Sequence, residues 1–95
     1  MEKQIEYVER LSAQMLAWDI QIDQFKDRAE NALFGTKANY SDAIAALQIK
    51  RDEAAEKLQG ISTASDHEWE ELKEGTEHVW NEVRNMISDA VIKIK

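Results

Sequence analysis

The 95-residue chain holds 12 basic and 19 acidic side chains, a net charge of −7, 43% hydrophobic and 33% charged residues, and neither proline nor cysteine. One domain is the most this length supports, with about 60% of its unfolded surface buried in one elongated core. Disulfides, thiolate metal sites and thiol catalysis are excluded with cysteine. The acidic excess, spread over both ends of the chain, leaves no basic run for nucleic acid and would be repelled by anionic membranes.

The N-terminal run Met1-Glu2-Lys3-Gln4-Ile5-Glu6 lacks the basic start and apolar core of a signal peptide. No stretch of 18 apolar residues follows, so the expected location is cytoplasmic. A seven-residue repeat then begins. Val8, Leu11, Met15, Trp18, Ile22, Phe25, Ala29 and Ala32 are spaced by alternating steps of three and four, all apolar. That is the seam of a coiled-coil helix. A second run, Tyr40, Ile44, Leu47, Arg51, Ala54, Leu58 and Ile61, keeps the same steps. Arg51 is its charged intruder, expected to lay its stem along apolar surface with the guanidinium in water, or else to mark register.

Between the two runs lies Leu33-Phe34-Gly35-Thr36. Gly35 either ends a helix in a left-handed cap or sits inside a continuous one, since the eleven residues from Ala29 to Tyr40 are a permitted coiled-coil stutter. The first choice gives helices near 2–34, 37–60 and 66–94. The second gives one helix over about 2–61, roughly 90 Å long, whose seam a much shorter third helix cannot cover. Another copy must then cover it. The reading adopted is the continuous helix.

Gly60 and Ser62-Thr63-Ala64-Ser65-Asp66 mark a turn, and Ser65 with Glu68 forms a capping box for the last helix. His67-Glu68-Trp69-Glu70-Glu71-Leu72-Lys73 recurs eleven residues later as His78-Val79-Trp80-Asn81-Glu82-Val83-Arg84. This places Trp69, Trp80 and Val91 on one stripe, Leu72, Val83 and Ile94 on another, and Thr76 with Ile87 on a third, on a straight or slightly right-handed helix.

Chemistry is scarce. His67 with Glu71, and His78 with Glu74 and Glu82, read as solvated pairs, because no Glu-x-x-His motif supports a di-iron site and no EF-hand loop supports calcium. Trp18, Trp69 and Trp80 all fall on apolar stripes and read as core. No nucleophile elbow, phosphate loop or dinucleotide fingerprint occurs, so no catalytic, cofactor or metal residue is expected.

Three stretches carry a family resemblance: Met15-Leu16-Ala17-Trp18-Asp19 with Ile22-Asp23, Lys50 through Leu58, and Glu68-Trp69-Glu70-Glu71-Leu72-Lys73-Glu74-Gly75 with Trp80. Through them the chain resembles small bacterial coiled-coil proteins, some described as stress-response proteins. The resemblance implies a cytoplasmic helical protein, raised under stress, with no catalytic residues to carry over.

The sequence therefore reads as an all-α antiparallel coiled-coil bundle, closed within one chain or swapped between chains at Gly35. Val8, Leu11, Met15, Trp18, Ile22, Phe25, Ile44, Leu47, Leu58, Trp69, Leu72, Trp80, Val83 and Ile87 are its expected packing residues. The expected function is non-catalytic association, with a homo-oligomer, a dimer first, as the expected partner. A protective protein on membrane surfaces or client proteins is the alternative, and a metal-binding helical protein the remote one.

Overall fold

The computed structural model describes residues 2–32 and 34–93, with the backbone alone for 34–36. Three helices, α1 (Glu2–Glu30), α2 (Phe34–Thr63) and α3 (Glu68–Lys93), make up the fold. They lie side by side in a rod of 51 × 18 × 18 Å. At about 1.5 Å per residue each helix runs nearly its full length. Asp19 meets Arg51, and Gln4 reaches Ile61, so α1 and α2 are antiparallel. Tyr7 meets Trp69 and Trp18 meets Trp80, so α1 and α3 run parallel. The backbone of α2 lies close along both neighbours, whereas those of α1 and α3 approach at few places. Large side chains fill that wider gap, Trp18 and Trp80 having ring centroids 4.7 Å apart.

This is the closed bundle within one chain, not the continuous 2–61 helix adopted from the sequence. The break also precedes Gly35, which lies in the first turn of α2, and no described glycine has a positive φ. Asn31 ends α1. Its backbone N–H and its side-chain Nδ2 both donate to the Asp27 carbonyl, at 3.3 and 3.0 Å, while Ala32 N–H tightens the last turn onto Ala29. A side-chain amide that crowds the carbonyl four residues back competes with the helix's own ladder, and α1 ends there without a glycine.

α2 continues past Gly60 to Thr63, where the hydroxyls of Ser62 and Thr63 bond back to the Gln59 carbonyl at 2.9 and 3.0 Å. Ser65 then caps α3, its Oγ accepting from Glu68 N–H at 3.3 Å.

The core follows the seams with two adjustments. In α1 the buried set is Gln4, Tyr7, Leu11, Met15, Trp18, Ile22, Phe25 and Ala29. Tyr7 displaces Val8, which is only partly buried, because the first turns of α1 face Trp69 of α3 as well as α2. In α3 burial follows the eleven-residue stripes at Trp69 and Trp80, at Val83, and at Thr76 and Ile87, but fails at Val91 and Leu72. Trp69, Thr76, Trp80, Val83, Ile87 and Ala90 are buried, with half-covered Lys73 between the first two, a seven-residue repeat in steps of four and three. A helix packed in a bundle keeps a 3.5-residue seam toward its partners, so Ala90 takes the inward place and Val91 is left 44% exposed. Ile94 lies outside the described residues.

Candidate interaction site

The structure buries Leu11, Met15, Trp18, Ile22, Phe25, Ile44, Leu47, Trp69, Trp80, Val83 and Ile87, and partly buries Val8 and Leu58. Leu72 is the correction. It is 45% exposed in a shallow α2–α3 trough of about 410 Å³ that also includes Gly60 and Gly75. Neither glycine offers a side chain to cover it. Buried residues outside that expected set include Gln4, Tyr7, Thr76, Val79 and Ala90. Gln4 sits one seam step before Val8 and was legible from spacing. Val79 was not, since burial of adjacent Val79 and Trp80 requires α3 to face two helices at once.

The polar groups near the core are saturated. No buried side-chain nitrogen or oxygen lacks a partner among the described residues. Gln4 Nε2 donates to the carbonyls of Ile61 and Ala64, at 2.8 and 2.9 Å, closing the end of α2. Trp80 Nε1 donates to Gln14 Oε1 at 2.7 Å. Arg51 does not end in water: its guanidinium holds Asp19 across the α1–α2 seam, which keeps its proton bound still more firmly. Lys50 reaches Glu82 of α3 at 3.0 Å and Glu53 at 3.1 Å. Its hydrogen bond holds the Glu82 carboxyl below its ordinary pKa.

Of the two histidines, exposed His78 pairs with Glu82 at 3.3 Å. Among the described residues no three His, Cys, Asp or Glu side chains are placed to share a metal ion. Among the same residues no helix is long and apolar enough to cross a membrane. The grooves between helices are open troughs rather than enclosed pockets.

Ile49 of α2 and Ile92 of α3 stand singly on the surface, whereas α1 carries an apolar stripe. Successive helical residues turn by about 100°, so Ile5, Glu9, Leu16, Ile20, Asp23 and Asp27 fall opposite the buried Leu11, Trp18, Ile22 and Phe25. Ile5, Leu16 and Ile20 are 55%, 66% and 62% exposed. No Lys or Arg lies among them on that stripe, while Glu9, Asp23 and Asp27 are all exposed.

The chain was compared with protein-family models, curated proteins and solved structures. Nothing matched in any of the three comparisons. The functional reading therefore rests on this surface and on the core beneath it.

Proposed function

We propose that the chain is a non-catalytic helical module that works by association through the outward face of α1. The observation that carries this is the exposure of Leu16 and Ile20 on a helix whose opposite face is fully used by its own bundle. Large apolar side chains one turn apart, left outside a satisfied core, are what a partner helix covers. The intramolecular bundle already covers the Val8-to-Phe25 seam, so association need not involve swapping.

A second copy is the first partner to consider. Two α1 faces packed antiparallel about Leu16 and Ile20 would bury one apolar stripe, well short of the roughly 800 Å² per partner of a stable interface. They would also bring Glu9 of each chain toward Asp27 of the other. Such a dimer is weak and strengthens with salt, which screens like charges. The acidic border favours a second reading, in which a basic amphipathic helix of another protein binds and salt weakens the contact. The resemblance to small bacterial coiled-coil proteins supports a role under stress for either form.

Sedimentation velocity over a range of protein and salt concentrations tests the self-association. A mass that rises with concentration, more steeply at high salt, and stays monomeric in Leu16→Glu/Ile20→Glu is the expected result. A wild-type monomer at every concentration and salt leaves the basic-partner form, which cross-linking in cells with wild type and the same variant then decides. If the two give identical partners, the α1 face is not the site.

A further inference from the structure

Arg10, Lys73 and Arg84 are scattered along an acidic sequence, yet the fold brings them to one place. The trough between α1 and α3 holds about 390 Å³, with Tyr7 and Trp80 along it, Arg10 and Gln14 on the α1 wall, and Asn81 and Arg84 on the α3 wall. Lys73 stands at its edge: its Nζ and the Arg10 Cζ are each 5.3 Å from the centroid of the Tyr7 ring.

None of the three cations makes an ion pair among the described residues, whereas Lys50 and Arg51 are both held by carboxylates. For Arg84 the cause is local, because its neighbours one turn away are Trp80, Asn81, Ile87 and Ser88, none of them acidic. One carboxylate, Glu77, lines the trough, and it accepts the Tyr7 hydroxyl at 3.4 Å. Two guanidiniums against one carboxylate therefore leave the trough a local excess of one positive charge, with Lys73 beyond it on the Tyr7 ring, on a protein of net charge −7. Neutral donors accompany them. An indole N–H can only donate, so Gln14 turns its carbonyl oxygen to Trp80 and keeps its NH₂ free to donate elsewhere. Asn81 is exposed and adds a second amide.

We propose that this trough binds a phosphate monoester group, clasped between Arg10 and Arg84 with Lys73 at the rim and the amides of Gln14 and Asn81 as further donors. A monoester near neutral pH approaches two negative charges and offers three acceptor oxygens, which suit the two guanidiniums and the amide donors. Guanidinium forks suit those oxygens. A carboxylate or phosphodiester brings one charge and fits less well. Two arginines in one short trough, with a lysine beside it, are too few to track a nucleic-acid backbone. The site is separate from the outward face of α1, so each can fail alone.

Titrating ¹⁵N-labelled full-length protein with inorganic phosphate, against chloride at matched ionic strength, tests the proposal. The Trp80 indole and Gln14 amide signals should move saturably, with half-saturation in roughly the millimolar range expected of a few charge-assisted bonds. Arg10→Gln and Arg84→Gln, both at exposed side chains, should each weaken binding roughly tenfold while melting as wild type does. With glycerol phosphate as the probe, lowering the pH below about 6, where the monoester takes up a proton, should weaken it too. Glycerol phosphate and vesicles containing phosphatidic acid then distinguish a soluble ligand from a lipid headgroup. Shifts that never saturate, or that match those of chloride, overturn the site. So does unchanged affinity in a folded Arg10→Gln/Arg84→Gln double variant.

Discussion

Arg51 of α2 grips Asp19 of α1 with two N–H groups on one edge of its guanidinium, Nε to Oδ1 at 2.8 Å and Nη2 to Oδ2 at 2.9 Å. The arginine occupies a seam position between Leu47 and Ala54, both buried, so the fork forms at one register of the α1–α2 pair. Its side chain is 28% exposed and that of Asp19 40%, which tempers the gain with solvent screening. Arg51→Ala should cost about 1–2 kcal/mol in urea unfolding, and Arg51→Lys nearly as much, since an ammonium cannot make the fork. A double-mutant cycle with Asp19→Ala should return a coupling of roughly 0.5–1 kcal/mol. No coupling would mean that the pair does not set the register.

Gly60 and Gly75 line the same α2–α3 trough, Gly75 in the interior of α3 and Gly60 at the start of the last turn of α2. A Cβ built on either meets nothing within 4 Å. Helical glycine is about 0.5–1 kcal/mol less favourable than alanine through backbone entropy alone. Gly60→Ala/Gly75→Ala should therefore stabilise the bundle by about 1–2 kcal/mol and shield part of Leu72. A lowered melting temperature in the double variant would show that the two helices need the glycines to come together.

The seam of α1 was legible because eight consecutive apolar positions from Val8 to Ala32 recur at coiled-coil spacing. The turn before α3 was legible because Ser65 and Glu68 stand at capping distance. The helix break was not. Ala29 to Tyr40 is eleven residues, a spacing that both a continuous coiled coil and a hairpin satisfy, and a single Asn31 carried the stop signal. What separates the two is which helix covers the seam, a tertiary term absent from local spacing. The recurrence that joins Trp69 with Trp80 likewise extends to Val91 and Leu72, and packing against two helices leaves both of those outside. Arg10 and Arg84 could not be joined at all without the parallel run of α1 and α3.

Gln4 is a buried polar residue at the seam's first turn, and its side-chain amide closes the end of α2 rather than any part of its own helix. Gln4→Leu keeps the volume but strands the Ala64 carbonyl and leaves that of Ile61 only the Ala64 N–H at 3.3 Å, for an expected loss of about 1–2 kcal/mol. Gln4→Glu places an acceptor against acceptors and should cost more, with part of the loss recovered at low pH once the carboxyl can donate. Chemical unfolding at neutral and acidic pH measures both. A Gln4→Glu variant as stable as wild type at neutral pH would mean that those carbonyls find another donor.

Tyr7 sets the alkaline limit of the fold. Its ring is 4% exposed, and its pKa is pushed up from 10.0 to about 12, first by burial, then by the charge and hydrogen bond of Glu77, with Arg10 pulling the other way. The folded state thus holds this proton more tightly than the unfolded chain does. Below about pH 10 both states keep it and the contribution to stability is complete; between about 10 and 12 the unfolded chain alone lets it go, and stability falls as pH rises. The rise is worth on the order of 2 kcal/mol. Wild type should therefore lose stability faster over that window than Tyr7→Phe, the lysines common to both cancelling in the difference. In a Tyr40→Phe background the phenolate absorbance reports Tyr7 alone, and its midpoint in the folded protein should lie near 12. A midpoint near 10.0 with the helices intact would place Tyr7 in water, and the packing of α1 against α3 at Trp69 would have to be redrawn.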